Sequence, residues 1–213
     1  MKKVYLLTAI ILFISTNIFS QDQKAKAVLD KLAKKTKTYS TIKAEFAFKL
    51  ENKEDNVSDT YKGTVWIKGN KYRVDLMGSI VFFDGKTKYT YLKESNEVNI
   101  TEPDDDDDVL DPSKIFTMYN KDFKYKFVSD KFEDTRALQT VDLFPKDLEK
   151  EYSRVRLRID KTKNQIFEIK QFGKDGNYYT IRIMKFTPNV KLNDTFFNFN
   201  KAKYPGVEIN DMR

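Results

Sequence analysis

Histidine and cysteine are both absent from this chain of 213 residues. Without histidine there can be no His-based triad, and without either residue no zinc site of the usual kind. The missing thiol also rules out disulfides, cysteine nucleophiles, haem attachment through cysteine and an acceptor for N-terminal diacylation. A chain without disulfides has to draw its stability from a buried core of adequate size, and a hydrophobic fraction of 40% is compatible with that.

Long apolar runs are scarce as well. Lys2-Lys3 precede an apolar stretch from Val4 through Ile14, and Ser15 to Ser20 lead to the polar Gln21. The apolar stretch is shorter than the roughly 20 residues of a spanning helix, and its order matches a secretory signal peptide cleaved after Ser20. Residues 1–20 are therefore expected to be a signal peptide and 21–213 one secreted domain, the latter within the size range of single β domains. The formal charge of +7 includes Lys2 and Lys3, and the remaining excess is spread along the chain without a dense basic block. Nucleic acid is accordingly not expected as a partner.

Catalytic motifs are present only as fragments. Ser40-Thr41-Ile42-Lys43 matches S-x-x-K, but no S-D-N or K-T-G string accompanies it. Gly85-Lys86-Thr87 imitates the end of a phosphate-binding loop, yet Gly78 is misplaced for one and Ile80 to Phe83 are strand-like. Five adjacent carboxylates, Asp104 to Asp108, fit a solvated loop, a docking site for a basic partner or a calcium site. An EF-hand is unsupported, since the required glycine and final glutamate positions hold Val109 and Ile115. A carboxylate-based hydrolase stays formally open because Asp and Glu are plentiful, but no pair recommends itself. The chain is expected not to be an enzyme and to need no cofactor or metal.

What is present is alternation. Ala27, Val28, Leu29, Leu32 and Ala33 give an amphipathic helix over Lys24 to Lys37, fit for packing on a sheet or, less simply, lying on a membrane surface. From Ala44 the period drops to two: Phe46, Phe48 and Leu50; Tyr61, Gly63, Val65 and Ile67; Tyr72, Val74 and Leu76. Further strands are expected at Lys88 to Leu92, Glu97 to Ile100, Lys124 to Val128, Ala137 to Phe144, Arg154 to Asp160, Ile166 to Phe172, Tyr178 to Lys185 and Phe196 to Phe199. Breaks bearing Asn, Asp and Gly separate them. About ten short strands with few helices indicate a mainly β (α+β) fold, a single large curved antiparallel sheet forming an incomplete barrel. Asp111-Pro112-Ser113 introduces the apolar segment Lys114 to Tyr119, a candidate lid helix.

Aromatic residues make up 14% of the chain, with Trp66 the single tryptophan. Many alternate along strands, which suits an ordinary core and equally a concave face left partly unfilled for lipid tails. Three patterns then stand in register: Tyr61-Lys62-Gly63-Thr64-Val65-Trp66-Ile67-Lys68, Asp84-Gly85-Lys86-Thr87 followed by Tyr89 and Tyr91, and Tyr204-Pro205-Gly206-Val207-Glu208-Ile209-Asn210-Asp211. Together with the N-terminal helix they resemble the periplasmic outer-membrane lipoprotein carrier family, LolA, over essentially the whole mature chain.

The resemblance implies an unclosed β-barrel with lid helices over a hydrophobic cavity. It also implies a monomeric periplasmic chaperone that accepts acylated lipoproteins from an inner-membrane ABC transporter and delivers them to an outer-membrane acceptor. The lack of cysteine favours a soluble carrier over a lipidated receptor of similar fold. A secreted lipid-binding or lipid-sensing module of the same shape is the alternative. The family often has an arginine shortly after the tryptophan strand, where this chain reads Lys68-Gly69-Asn70. Motif matching marks Trp66, Tyr89 and Tyr91, alternation marks Phe46, Phe48, Val65, Ile67, Val74, Ile181 and Ile183 as cavity or core, and Phe116 and Met118 are lid candidates. Alternation separates Val65 from Trp66 without saying which of them faces inward.

Overall fold

The computed structural model describes residues 22–52, 54–103, 112 and 122–213. Helix α1 spans residues 22–36. Ala25, Val28, Leu29 and Leu32 are its buried residues, spaced so that they fall on one stripe, while its lysines stay in solvent. An exposed Lys26–Asp30 pair at 2.6 Å links successive turns. The helix ends where Thr36 turns its hydroxyl back to the Leu32 carbonyl at 3.0 Å.

Twelve strands follow: β1 Ile42–Asn52, β2 Val57–Lys68, β3 Lys71–Leu76, β4 Ser79–Phe83, β5 Lys88–Leu92, β6 Glu97–Thr101, β7 Phe123–Glu133, β8 Arg136–Pro145, β9 Tyr152–Asp160, β10 Gln165–Gly173, β11 Asn177–Pro188 and β12 Glu208–Asp211. They form one sheet in the order β12-β6-β5-β4-β3-β2-β1-β11-β10-β9-β8-β7. Two meanders, β1 to β6 and β7 to β11, are joined by the long β1/β11 pairing, and β7 and β12 remain as edges. Every pairing is antiparallel except β12 on β6. The sheet is therefore large, unclosed and of the expected class.

The turns have the backbone chemistry that hairpins require. Asn56, Asn96 and Asn164 all adopt positive φ, and asparagine tolerates that region better than most residues. Two expectations need correction. Phe196 to Phe199 is no strand: Asp194–Phe197 is a 3-10 turn, which sends Phe197 into full burial and Phe196 against Trp66. The tail Glu208–Asp211, read in the sequence only as a motif, is strand β12, held by parallel pairing to β6. The acidic run Asp104 to Asp108 and the candidate lid with Phe116 and Met118 lie outside the described residues, as does the expected signal peptide.

The two meanders bury their inner faces differently. Under α1, Val141, Leu143, Val155, Leu157, Ile159 and Ile169 pack with the helix stripe into a continuous core. Fully burying a Val or Leu side chain contributes roughly 1.5–3 kcal/mol, so Val28, Leu29 and Leu32 supply most of the helix's anchoring. In the first meander Ile42, Ala44, Phe46, Val65, Ile67, Tyr72 and Phe83 form a second cluster, over which α1 does not extend its buried stripe. Among the described residues, half of the inner face is filled by the chain's own helix, and the other half is not.

Candidate functional site: an apolar cavity on the inner face

The unfilled half encloses a cavity of about 320 Å³, at the lower end of the roughly 300–1,000 Å³ of small-molecule sites. Strand β1 contributes Ile42, Ala44, Phe46 and Phe48; β2 Val65 and Ile67; β3 Tyr72, Val74 and Leu76; β4 Val81. From the second meander come Ile166 and Ile169 of β10 and Ile181, Ile183 and Phe186 of β11. The sets on β1, β2 and β3 follow from period two once the face is known. Gly63 belongs to the same face, opposite Phe46 in the β1/β2 register. A Cβ there would lie 2.6 Å from Phe46 Cζ and 3.0 Å from the Asp75 carbonyl oxygen, so glycine is what lets the Phe46 ring lie down across β2.

Seven of the residues singled out by alternation, Phe46, Phe48, Val65, Ile67, Val74, Ile181 and Ile183, are brought together around this cavity. Trp66, Tyr89 and Tyr91, expected with them, stand on the opposite face. Trp66 meets Phe196 edge-on with ring centroids 5.5 Å apart, Tyr89 stacks on Phe199 at 5.8 Å, and Tyr91 packs on Tyr204 at 4.3 Å. Arg73 is paired across from Trp66 and from Phe82, and its guanidinium lies 4.8 Å from the Phe196 ring centre and 4.9 Å from that of Phe82. The tryptophan and tyrosine motifs thus dock the C-terminal segment onto the back of the cavity wall.

Charge fastens the same segment. Asp194 accepts from Lys68 Nζ at 2.6 Å and from Lys71 Nζ at 2.9 Å, and Lys68 also donates to the Leu192 carbonyl. The two lysine hydrogen bonds lower the Asp194 carboxyl to a pKa of about 2. Lys68 thus works on the outer face. Behind the second meander the outer face is ionic instead: Asp142 holds Arg154 and Arg156, and Glu168 holds Arg158 and Arg182.

Sequence reasoning missed Ile42, Ala44, Tyr72, Leu76, Val81, Ile166, Ile169 and Phe186, together with Lys88 and Thr90 of β5, which bring polar groups to the cavity. Ile42, Ala44, Tyr72 and Leu76 merely continue patterns already visible. Ile166 and Ile169 do not, because a bulge between Ile166 and Glu168 resets the alternation of β10. A second irregularity, where Phe46 pairs with Ile183 and Glu45 with Lys185, skips Met184 and turns Phe186 inward. Among the described residues no group of acidic side chains is placed to hold a metal ion, and no helix is long and apolar enough to cross a membrane.

An unclosed sheet with an apolar inner cavity and a helix covering one half is an architecture able to hold an apolar ligand. The model of the family described as outer membrane lipoprotein carrier protein LolA matches residues 15–170, and the chain belongs to that family. No curated protein sequence matches it. Among solved structures, an uncharacterized conserved protein from Thermus thermophilus superposes with a TM-score of 0.58 at 11% identity, covering 88% of this chain and 99% of that one. LprF from Mycobacterium bovis gives 0.49 at 14%, covering 81% and 97%, and a LolA superfamily protein from Nitrosomonas europaea gives 0.45 at 12%, covering 82% and 97%. Of these three the Thermus protein alone exceeds 0.5, and at its identity the likeness is one of fold.

Proposed function

We propose that the protein is a soluble periplasmic carrier that shelters the acyl chains of lipoproteins in the inner-face cavity and moves them from an inner-membrane ABC transporter to an outer-membrane acceptor. The observation that carries this reading is the cavity itself, an apolar space walled by β1 to β4, β10 and β11 in a member of the lipoprotein carrier family. Burying a methylene contributes roughly 0.8 kcal/mol relative to water, so an apolar cavity offsets the cost of withdrawing an acyl chain from a membrane without any covalent step. The absence of histidine and cysteine accords with a role that is binding and not catalysis.

The test is release. Purified mature protein is incubated with spheroplasts making a labelled lipoprotein, and the soluble fraction is assayed for it. The wild type is expected to release the lipoprotein, and Val74→Trp, which fills the cavity, to release little while keeping its thermal stability. Absence of release by a wild-type protein that still binds free acyl lipids would replace the carrier with a lipid-binding module of the same shape.

A further inference from the structure

The inner face of the first meander changes character at one ladder. From β1 through β4 its residues are apolar, ending with Val81 and Phe83. Across the next ladder Val81 pairs with Thr90 and Phe83 with Lys88. One strand further, Thr90 pairs with Asn99 and Lys88 with Thr101. The polar character continues to β12, where Asn210 Nδ2 donates to Asn99 Oδ1 at 3.2 Å. Register alone places all of these side chains on the cavity's side of the sheet.

Two of these groups stand out by their partners. Lys88 lines the cavity, and among the described residues its ammonium forms no ion pair or hydrogen bond. The Thr101 hydroxyl directly across the ladder is buried and likewise has no hydrogen-bond partner. A buried hydroxyl without a partner costs free energy, and a cation bordering an apolar space attracts an anion more strongly than it would in water. An oxygen-rich anionic group at the β5 end of the cavity pairs with Lys88 directly, and satisfies the Thr101 hydroxyl, which lies just outside the cavity lining, once that hydroxyl is uncovered.

We infer that this end of the cavity is a head-group site, which rests on the cavity being an acyl-chain site. Lys88, with the hydroxyls of Thr90 and Thr101, receives the anionic oxygens of a single-chain acyl lipid, whose tail runs across β4 to β1 toward Ile169 and Ile181. From β5 to β10 the chain crosses six strand spacings, about 29 Å along the curve, which accommodates a long tail in that direction. The ligand class therefore extends beyond neutral ester-linked acyl chains to acyl anions, carboxylates or phosphates, and the site fixes which end of the lipid points which way.

The experiment measures displacement of the fluorescent apolar probe N-phenylnaphthylamine from the full mature chain by palmitate, hexadecyl phosphate and methyl palmitate. In wild type both anions are expected to bind more tightly than the ester, and the tighter of the two assigns carboxylate or phosphate as the natural head. Lys88→Met is expected to weaken the anions by about tenfold or more and the ester by less than twofold, with Lys88→Arg retaining anion binding. Thr101→Val, which leaves the charge in place, is expected to weaken the anions several-fold. Anion affinity unchanged in both Lys88→Met and Thr101→Val overturns the head-group site while leaving the acyl cavity standing. Failure of wild type to bind the probe and the ester overturns both.

Discussion

The cavity's size and apolar wall make ligand chain length the sharpest variable. Each methylene that leaves water for the cavity contributes roughly 0.8 kcal/mol, and 1.4 kcal/mol is a factor of ten, so affinity should rise about fourfold per added carbon. At the roughly 30 Å³ that a water-sized group occupies in a liquid, a volume of 320 Å³ accommodates on the order of ten such groups. The rise should therefore hold for the shorter chains and level off beyond roughly ten carbons. Ile183→Trp supplies the perturbation: Ile183 lines the cavity from β11, and a larger side chain there shortens the space available. The assay is probe displacement by a series of neutral acyl methyl esters from eight to eighteen carbons. Wild type should show the steep slope throughout the shorter members, and the variant should show the same initial slope with an earlier plateau. A slope well below twofold per carbon, or a plateau unmoved by Ile183→Trp, would refute burial of the chain at this site.

Two further outcomes follow from the packing and the charges around the cavity. Leu32→Ala removes a wholly buried side chain from the stripe that seats α1 and should cost about 2–5 kcal/mol, measured by urea denaturation, while leaving the β1 to β5 wall intact. Asp194 has its pKa lowered from 3.8 to about 2 by Lys68 and Lys71, so the stability it contributes is present above about pH 4 and lost as the pH falls through about 2. Asp194→Asn should accordingly lower the urea midpoint at pH 5 and leave it unchanged near pH 2, and an equal loss at both would contradict the assignment of that stability to the carboxylate.

Most of the sheet was legible because its strands carry one apolar face, and alternation such as Tyr61, Gly63, Val65 and Ile67 in β2 leaves little else for the backbone to be. The helix was legible for the same reason at a different period. The assignment of faces was not. In β2 to β4 the inner side walls the cavity while the outer side also carries aromatic rings, Trp66 and Phe82, which Phe196 and Phe199 cover. Alternation distinguishes Val65 from Trp66 but gives no sign of the covering segment, whose attachment depends on contacts more than a hundred residues apart, such as Lys68 with Asp194. The motif aromatics were therefore drawn to the cavity when their role is to hold its wall. Ile166, Ile169 and Phe186 were hidden by bulges, which break period two without leaving a glycine or proline to mark them.

Trp66, alone of its kind and facing away from the cavity, offers the most direct test that acyl chains occupy the inner face. Tryptophan fluorescence is measured as acyl chains brominated near the tail are added, first in wild type and then in a Trp66→Phe chain carrying Ile183→Trp. Bromine quenches at short range, so the account predicts strong quenching of the tryptophan at position 183 and little change in Trp66. Strong quenching of Trp66 with position 183 unaffected would contradict it, because the ligand would then lie on the face that the C-terminal segment covers.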